Sequence, residues 1–322
     1  MSGSSGAASQ GGGELRTLRS SDAIGIGLVA IAGGATAAGI LLSAHDAFFL
    51  WLLGQCVLAI ALLQWFVLLH EAGHGTLFRT RSLNSIAGHG AGFFALIPFA
   101  AWRRVHGLHH LWTGWQDLDP TTAGLAPRSR SRIECAVVDA AWKTWLPLFS
   151  VTYRLGNYWN VARLAAIFAA ARPRVALGAN VALLAAIYVL LLGLLGLETS
   201  LRMFALALLL GLALQDPLIL SQHTHIPQRL SLGRDVDPLS PLEQVRYTRS
   251  LRFPAWVSRW ILFGFDAHEL HHRFPALPGC HLRRIAHTPG NEVDWWTWLK
   301  AAKRLRGSVL LFETSETTGF RA

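Results

Sequence analysis

The sequence predicts an all-α integral membrane protein with four transmembrane helices in two hairpins, interfacial helices and a cytoplasmic cap rich in histidine. Three observations support this fold class: the composition, four long apolar segments and a one-sided distribution of cationic residues. Of the 322 residues, 52% are hydrophobic and 15% are charged. Soluble globular chains carry about 25% charged residues, so an ordinary soluble enzyme is disfavoured. The three widely spaced cysteines exclude a disulfide scaffold and a cysteine zinc site.

Four apolar segments approach the length needed to cross a bilayer, which is roughly 20 residues in a helix. They span residues 23–44, 47–69, 175–197 and 203–221. Only His45 and Asp46 separate the first pair, and only Glu198–Arg202 separates the second pair. These short connections predict two tight helical hairpins. We expect residues 1–22, which are rich in glycine and serine, to form a disordered tail, and residues 23–322 to form a single membrane domain.

Lysine and arginine residues are concentrated on one side of the predicted membrane. Of the 29 in the chain, all except Arg202 lie in the N-terminal tail or in the segments 70–174 and 223–322. Cytoplasmic loops carry an excess of lysine and arginine, so we assign both termini and both segments to the cytoplasm. This topology explains the net charge of +10 without a nucleic-acid partner.

Ten of the 14 histidines fall in four short clusters. The clusters are His70 and His74 in HEAGH; His106, His109 and His110 in HGLHH; His223 and His225 in HTH; and His268, His271 and His272 in HELHH. Helical residues three and four apart share a face, so HEAGH, HGLHH and HELHH each present their imidazoles in one direction. The predicted topology places all four clusters on the cytoplasmic side, as a shared metal centre requires.

The number of histidines indicates two metal ions rather than one. Imidazole binds zinc, copper, iron and nickel, but a catalytic zinc takes about three protein ligands. Eight to ten histidines therefore match two metals with about four or five nitrogens each. Two redox-active irons at the membrane face suggest oxygen activation against an apolar substrate.

Two further segments between the hairpins are apolar or amphipathic but do not have the character of simple spanning helices. Residues 85–101 are short and contain glycine and proline, and residues 133–151 are amphipathic. We expect both to be interfacial or re-entrant helices. The alternative for residues 85–101 is a fifth spanning helix, which would put the later histidine clusters across the membrane from the first.

Two of the clusters also match the H-E-x-x-H pattern of zinc metalloproteases. In that chemistry two histidines bind zinc and the glutamate acts as the general base. A membrane zinc protease using His70, Glu71 and His74 is therefore a second hypothesis, although it leaves HGLHH and HTH unexplained. A non-catalytic metal-binding or haem-binding membrane protein is a third.

Four stretches, HEAGH, WRRVHGLHHLWTGWQDLDP, LSQHTHIP and DAHELHHRFP, resemble the membrane fatty acid desaturase superfamily of histidine-box, non-haem di-iron enzymes. The resemblance runs from about residue 60 to about residue 300 and is closest to acyl-lipid and plant-type desaturases. It implies two irons, dioxygen as co-substrate, an acyl-chain or lipid substrate, and metal ligands from all three boxes. One more ligand is expected before the last box, either His223, which we favour, or His225. Hydroxylases, acetylenases and carotenoid ketolases or hydroxylases share these boxes.

Six carboxylates in or near the boxes are candidates to hold the ligands in place. Ligating imidazoles usually donate their second N–H group to a carboxylate or carbonyl. The candidates are Glu71, Asp117, Asp119, Asp216, Asp266 and Glu269. Helix capping or salt bridges to nearby arginines are the alternative roles.

Electrons are expected to come from a separate protein. The sequence contains no four-cysteine iron–sulfur pattern, no haem-binding extension and no dinucleotide-binding fingerprint. A ferredoxin, rubredoxin or cytochrome with its reductase is therefore implied as the electron donor. The basic cytoplasmic surface would suit an acidic carrier.

Overall fold

A computed structural model describes residues 18–168, 170–285 and 290–320. The first helices are α1 (Asp22–Ser43), α2 (Phe48–His74), α3 (Arg81–Ala95), α4 (Phe99–Trp112), α5 (Arg132–Thr144), α6 (Leu148–Arg154), α7 (Val161–Ile167), α8 (Ala171–Leu195), α9 (Leu197–Ser200) and α10 (Leu206–His223). Shorter elements follow: α11 (Pro241–Gln244), β1 (Ser250–Arg252), α12 (Ala255–Trp260), α13 (His268–Arg273), α14 (Gly279–Leu282), β2 (Glu292–Asp294), α15 (Trp295–Arg304), α16 (Gly307–Phe312) and α17 (Ser315–Thr318). The small parallel sheet of β1 and β2 is an addition to the all-α prediction.

Among the described residues, four helices are long and apolar enough to cross a membrane, which confirms the predicted number of such segments. They cover Asp22–Ser43, Phe48–His74, Arg172–Leu195 and Leu197–His223. The predicted connector Glu198–Arg202 is instead helical, and the turn between the two helices lies at Gly196. The φ of Gly196 is +75°, a conformation that glycine adopts without steric cost. Residues 1–17 of the predicted tail lie outside the described residues, and Leu18 is buried.

Helices α1, α2 and α10 bring two histidine clusters to the same end of the molecule. Helices α1 and α2 run antiparallel, since Trp65 Nε1 donates to Thr36 Oγ1 (2.8 Å) and Gln55 Nε2 donates to Ser43 Oγ (2.8 Å). Gln55 Oε1 also accepts a hydrogen bond from the backbone N of Ala207 (2.9 Å) near the start of α10. Helix α10 therefore runs alongside α2 in the same direction, and both helices end in histidine.

Helices α3 and α4 form a sharply bent pair, with an angle of 98° between them. Side chains from residues 154–188 satisfy the backbone groups that the bend exposes. Arg154 Nε donates to Ala95 O (3.1 Å), Trp159 Nε1 to Leu96 O (2.9 Å) and Tyr188 Oη to Phe93 O (2.6 Å), while Asn180 Oδ1 accepts from the N of Ala100 (3.0 Å). Buried backbone groups need such partners.

The path of the bent pair favours a re-entrant segment over a fifth spanning helix. Thr80, immediately before α3, donates to Asp22 at the start of α1 (2.9 Å from N to Oδ1). At the other end of the pair, His106 of α4 contacts His74 at the end of α2. Both outer ends of the pair therefore lie at the same end of the α1–α2 hairpin.

The amphipathic segment predicted at residues 133–151 is broken into α5 and α6. Trp145 ends α5 in the left-handed conformation (φ +61°), and Pro147 follows it. Proline cannot donate the backbone hydrogen bond that a continuing helix needs. Helix α16 packs on α5 with Gly307 against Trp142, where a Cβ atom on residue 307 would come within 2.7 Å of the tryptophan side chain.

Candidate metal centre

Nine histidines converge into two neighbouring groups at the ends of α2, α4, α10 and α13. The five-histidine group contains His70, His74, His106, His110 and His271, and the four-histidine group contains His109, His223, His268 and His272. Within each group the candidate ligand atoms all lie within 4.8 Å of one another. The groups are adjacent, because the rings of His110 and His272 stack with their centroids 4.3 Å apart.

Helix rotation divides two of the clusters between the groups. In α4, His106 and His110 are four residues apart and project from the same face, and both belong to the five-histidine group. His109 is rotated by about 100° from His110 and belongs to the four-histidine group. The last cluster is divided in the same way, and only its His271 joins the five-histidine group. Each H-x-x-H-H motif therefore contributes to both groups.

The spacing of the nitrogens in the five-histidine group fits a bound metal ion. The Nε2 atom of His106 lies 2.8 Å from that of His74 and 3.1 Å from that of His110, which lies 3.0 Å from that of His271. A neutral imidazole nitrogen either donates one hydrogen or accepts one, so hydrogen bonds cannot account for all three contacts. Two nitrogens bound to one metal at about 2.1 Å and a right angle are about 3.0 Å apart.

Buried imidazole nitrogens without hydrogen-bond partners also indicate a metal site. His70 Nε2 and His272 Nε2 are buried and have no hydrogen-bond partner. In the four-histidine group, His223 Nε2 and His268 Nε2 are 2.8 Å apart. Leaving a buried polar atom unsatisfied costs about 1–3 kcal/mol, and metal coordination would remove that cost. The donor set, entirely imidazole, suits iron, zinc, copper or nickel.

The histidines of α13 are held in the neutral form that binds metals. Burial, with a further contribution from neighbouring imidazoles, lowers the pKa of His268, His271 and His272 well below the ordinary value of 6.5. A protonated imidazole has no lone pair for a metal, so a depressed pKa favours ligation.

We expect the metal-free protein to lose stability as the pH falls below about 6.5. In the unfolded chain His268, His271 and His272 take up protons near pH 6.5, whereas in the folded chain their lowered pKa keeps them neutral. Below pH 6.5 the unfolded state then binds more protons, at a cost of up to about 1.4 kcal/mol per histidine and pH unit. Thermal unfolding of the metal-free protein in detergent at pH 7.5, 6.5 and 5.5 measures this. A higher unfolding temperature at pH 5.5 would contradict it.

Two of the six candidate carboxylates contact histidines of the groups. Asp119 Oδ2 lies 2.7 Å from His109 Nδ1, and Glu71 Oε1 lies 3.3 Å from His70 Nδ1. Burial opposes ionisation of Asp119, but His109 and hydrogen bonds from Thr121 outweigh it and lower the pKa of Asp119. These carboxylates leave the Nε2 atoms of the two histidines free to face a metal.

The other four carboxylates have different described partners. Asp117 accepts from Ser231, Asp216 accepts from the N of Ser150, Asp266 binds Ser258 and Arg283, and Glu269 accepts from the N of Gly290 and of Asn291. The contact of Asp266 with Arg283 corresponds to the alternative role of salt bridging, whereas Asp117 binds a loop at Ser231.

His225 is not brought into either group. It follows the end of α10 in the left-handed conformation (φ +64°), its Nε2 lies 2.6 Å from Thr318 Oγ1, and its ring packs against Phe320. His223, the last residue of α10, belongs to the four-histidine group. The arrangement thus favours His223 over His225 as the ligand that precedes the last box.

Comparison with known sequences places this site in a family. The sequence profile described as fatty acid desaturase matches residues 46–292. The chain belongs to the fatty acid desaturase family. With its four apolar helices, this family member is an integral membrane protein.

Curated relatives of this desaturase-family chain are similar over short stretches. A probable fatty acid desaturase of Sorghum bicolor is 36% identical over 102 residues, which are 29% of this chain and 26% of the relative. An acyl-lipid omega-3 desaturase (cytochrome b5) of the Arabidopsis thaliana endoplasmic reticulum is 35% identical over 83 residues, 26% of this chain and 22% of that protein. An sn-1 oleoyl-lipid 12-desaturase of Picosynechococcus is 32% identical over 100 residues, which are 30% of this chain and 28% of that protein. The matches therefore cover about a quarter of each relative.

Two further groups that contact His272 and His223 were not predicted from the sequence. Gln244 Oε1 accepts from His272 Nδ1 (3.0 Å), and the backbone O of Tyr247 accepts from His223 Nδ1 (3.0 Å). Neither a neutral amide nor a backbone carbonyl lies in a recognisable motif. Their positions depend on how the segment after α10 folds back over the histidines.

Two neighbouring cavities lie beside the histidine groups and share lining residues. A chamber of about 50 Å³ touches histidines of both groups and is walled by Phe66, Trp102 and Phe265. A larger cavity of about 850 Å³, mainly apolar, adjoins it. The residues that line both are Thr121, Leu125, Phe149 and Tyr153. Binding sites for small molecules commonly have volumes of about 300–1,000 Å³.

Proposed function

We propose that this chain is a dioxygen-dependent di-iron oxidase that introduces a double bond into an acyl chain. One iron would be held by the five-histidine group and the other by the four-histidine group, with His225 outside both. The observation that carries this proposal is the pair of buried, adjacent, all-imidazole groups. Family membership supports the choice of a desaturase over other uses of such a centre.

The side chains around the centre orient the ligands and exclude water. Asp119 accepts the Nδ1–H of His109, which keeps the proton away from the Nε2 atom that faces the metal. Phe66, Trp102 and Phe265 surround the chamber and limit the access of water. When bound, two irons would supply the chemistry that uses dioxygen to remove hydrogen from an unactivated methylene group. A separate ferredoxin, rubredoxin or cytochrome with its reductase would supply the electrons.

The larger cavity is the proposed binding site of the substrate chain. Its apolar walls suit a hydrocarbon, and it shares Phe149 and Tyr153 with the chamber that touches both histidine groups. Two curated relatives are named as acyl-lipid or oleoyl-lipid desaturases, which supports a lipid-linked acyl chain as substrate. We further propose that two hairpins cross the membrane and that both termini and the metal centre face the cytoplasm.

The contacts of Glu71 argue against the zinc protease. A protease glutamate must be available to activate the metal-bound water. Here Glu71 Oε2 accepts from Thr76 Oγ1 (2.8 Å) and from the N of Gly279 (2.9 Å), and Oε1 contacts His70. Both carboxylate oxygens of Glu71 are thus occupied by contacts within the protein, so Glu71 is not available as a general base.

Metal and product analysis tests the proposed function. We expect purified protein to contain about two irons per chain, and cells that express it to convert deuterated fatty acids into alkenes with loss of two deuterium atoms. One zinc per chain would support the protease. An alcohol or ketone product with two irons would retain the oxidase and reject desaturation.

A further inference from the structure

Asp216 is a buried carboxylate that lines the larger cavity without an ion-pair partner. It is 7% exposed and lies in the apolar helix Leu197–His223. The salt bridges among the described residues do not include it. Ser150 is its hydrogen-bond donor, with the backbone N 2.7 Å from Oδ1. A buried charge is costly unless it is paired, and an ionisable group inside a membrane helix commonly has a functional role.

Two cations, Arg154 and Lys303, interact electrostatically with Asp216 but donate their hydrogen bonds to other groups. The guanidinium of Arg154 donates to backbone oxygens and to the side chain of Gln215. The ammonium of Lys303 donates to the backbone O of Trp142 and lies over its ring, 3.8 Å from the centroid. Neither cation therefore forms a salt bridge with the Asp216 carboxylate, which lines the cavity.

We propose that Asp216 is a polar anchor for the substrate and accepts a hydrogen bond from a hydroxyl or amide N–H group that the substrate carries. This inference rests on the proposed function and narrows its substrate class. The cavity would then prefer an amide-linked or hydroxyl-bearing acyl chain over an ester-linked chain without a donor. A carboxylate has only acceptors, so an ester oxygen gains no hydrogen bond from it.

The position of the anchor is compatible with chemistry at the metal centre. Asp216 and His223 are seven residues apart in one helix, which corresponds to about 10 Å along its axis. An extended hydrocarbon of about eight carbons, with bonds of about 1.5 Å, covers that distance. A chain held at Asp216 can therefore run past Phe149 and Tyr153 and present a mid-chain methylene to the chamber.

The Asp216→Asn variant tests the anchor with little change in shape. Because the N of Ser150 donates to Oδ1, the amide oxygen must take that position, and the amide nitrogen then replaces Oδ2. At the position of Oδ2 the variant thus carries a donor in place of an acceptor. A charged hydrogen bond contributes enough for a roughly tenfold to hundredfold preference.

The matched probes are tritiated N-propyl octadecanamide and propyl octadecanoate. They have the same chains and differ only in the linkage, which is an amide N–H in the first and an ester oxygen in the second. We expect the wild-type protein in detergent, metal-free or iron-loaded, to bind the amide at least about tenfold more tightly. In Asp216→Asn the preference should vanish or reverse, whereas Leu214→Ala, at a residue 46% exposed on the same helix, should keep it.

Equal binding of the two probes by the wild type, or an unchanged preference in the variant, would overturn the anchor. The wild-type comparison needs no variant and so does not depend on how the variant folds. Product analysis separates this result from the proposed function. Alkene formed from both probes with equal affinity rejects only the anchor, whereas a clear binding preference without any alkene rejects only the desaturase.

Discussion

His271→Ala is expected to abolish turnover and to lower the iron content from about two to about one per chain. The Nε2 atom of His271 lies 3.0 Å from that of His110, and the residue is buried in the five-histidine group. Alanine removes one of the five imidazole ligands, and its methyl group cannot coordinate a metal. Loss of a group that only supports a ligand typically costs 10–100-fold, so loss of the ligand itself should exceed about 100-fold. Iron analysis and alkene yield from the purified variant measure both effects.

His225→Ala is the matched control for this experiment. The substitution also removes a histidine from one of the four clusters, but the His225 side chain contacts Thr318 and Phe320 and belongs to neither histidine group. We expect two irons per chain and near-normal turnover, with a modest loss of thermal stability. Two irons in His271→Ala, or loss of iron in His225→Ala, would contradict the assignment of ligands.

The choice between His223 and His225 shows where sequence reasoning about the centre stops. The spacing of the histidines and the distribution of charge can both be read directly from the sequence. They predict that histidines from four segments share a site. Which ring of a pair turns inward depends on where α10 ends. The helix ends at His223, and the positive φ of His225 then turns that side chain away. The split of His109 from His110 depends in the same way on the rotation of α4 in its packing.

The bend between α3 and α4 shows a second limit. Glycine and proline in the segment 85–101 predict an interruption and an interfacial or re-entrant helix. The groups that stabilise the bend, Arg154, Asn180 and Tyr188, are far along the chain and reach it only through tertiary packing. The same holds for Gln244, whose contact with His272 joins segments that no local pattern connects.

Asp119→Asn is expected to weaken iron binding and turnover by about 10–100-fold, although it changes only one atom. The backbone N and the hydroxyl of Thr121 both donate to Asp119 Oδ1, at 2.8 Å each. In the variant these two donors require the amide oxygen at that position, so the amide nitrogen faces His109 Nδ1. A donor there favours the tautomer of His109 with its proton on Nε2, and that tautomer cannot bind a metal.

Asp117→Asn provides the control, since Asp117 accepts hydrogen bonds from the backbone N of Ser231 and of Leu232 and from the Ser231 hydroxyl. It makes the same chemical change two residues away. We expect unchanged iron content and a loss of stability of about 1–3 kcal/mol, because backbone donors face both oxygens of Asp117. Iron titration of both variants, followed by turnover at saturating iron, separates weaker binding from a defective centre. Equal iron affinity in the two variants would show that Asp119 does not set the tautomer of His109.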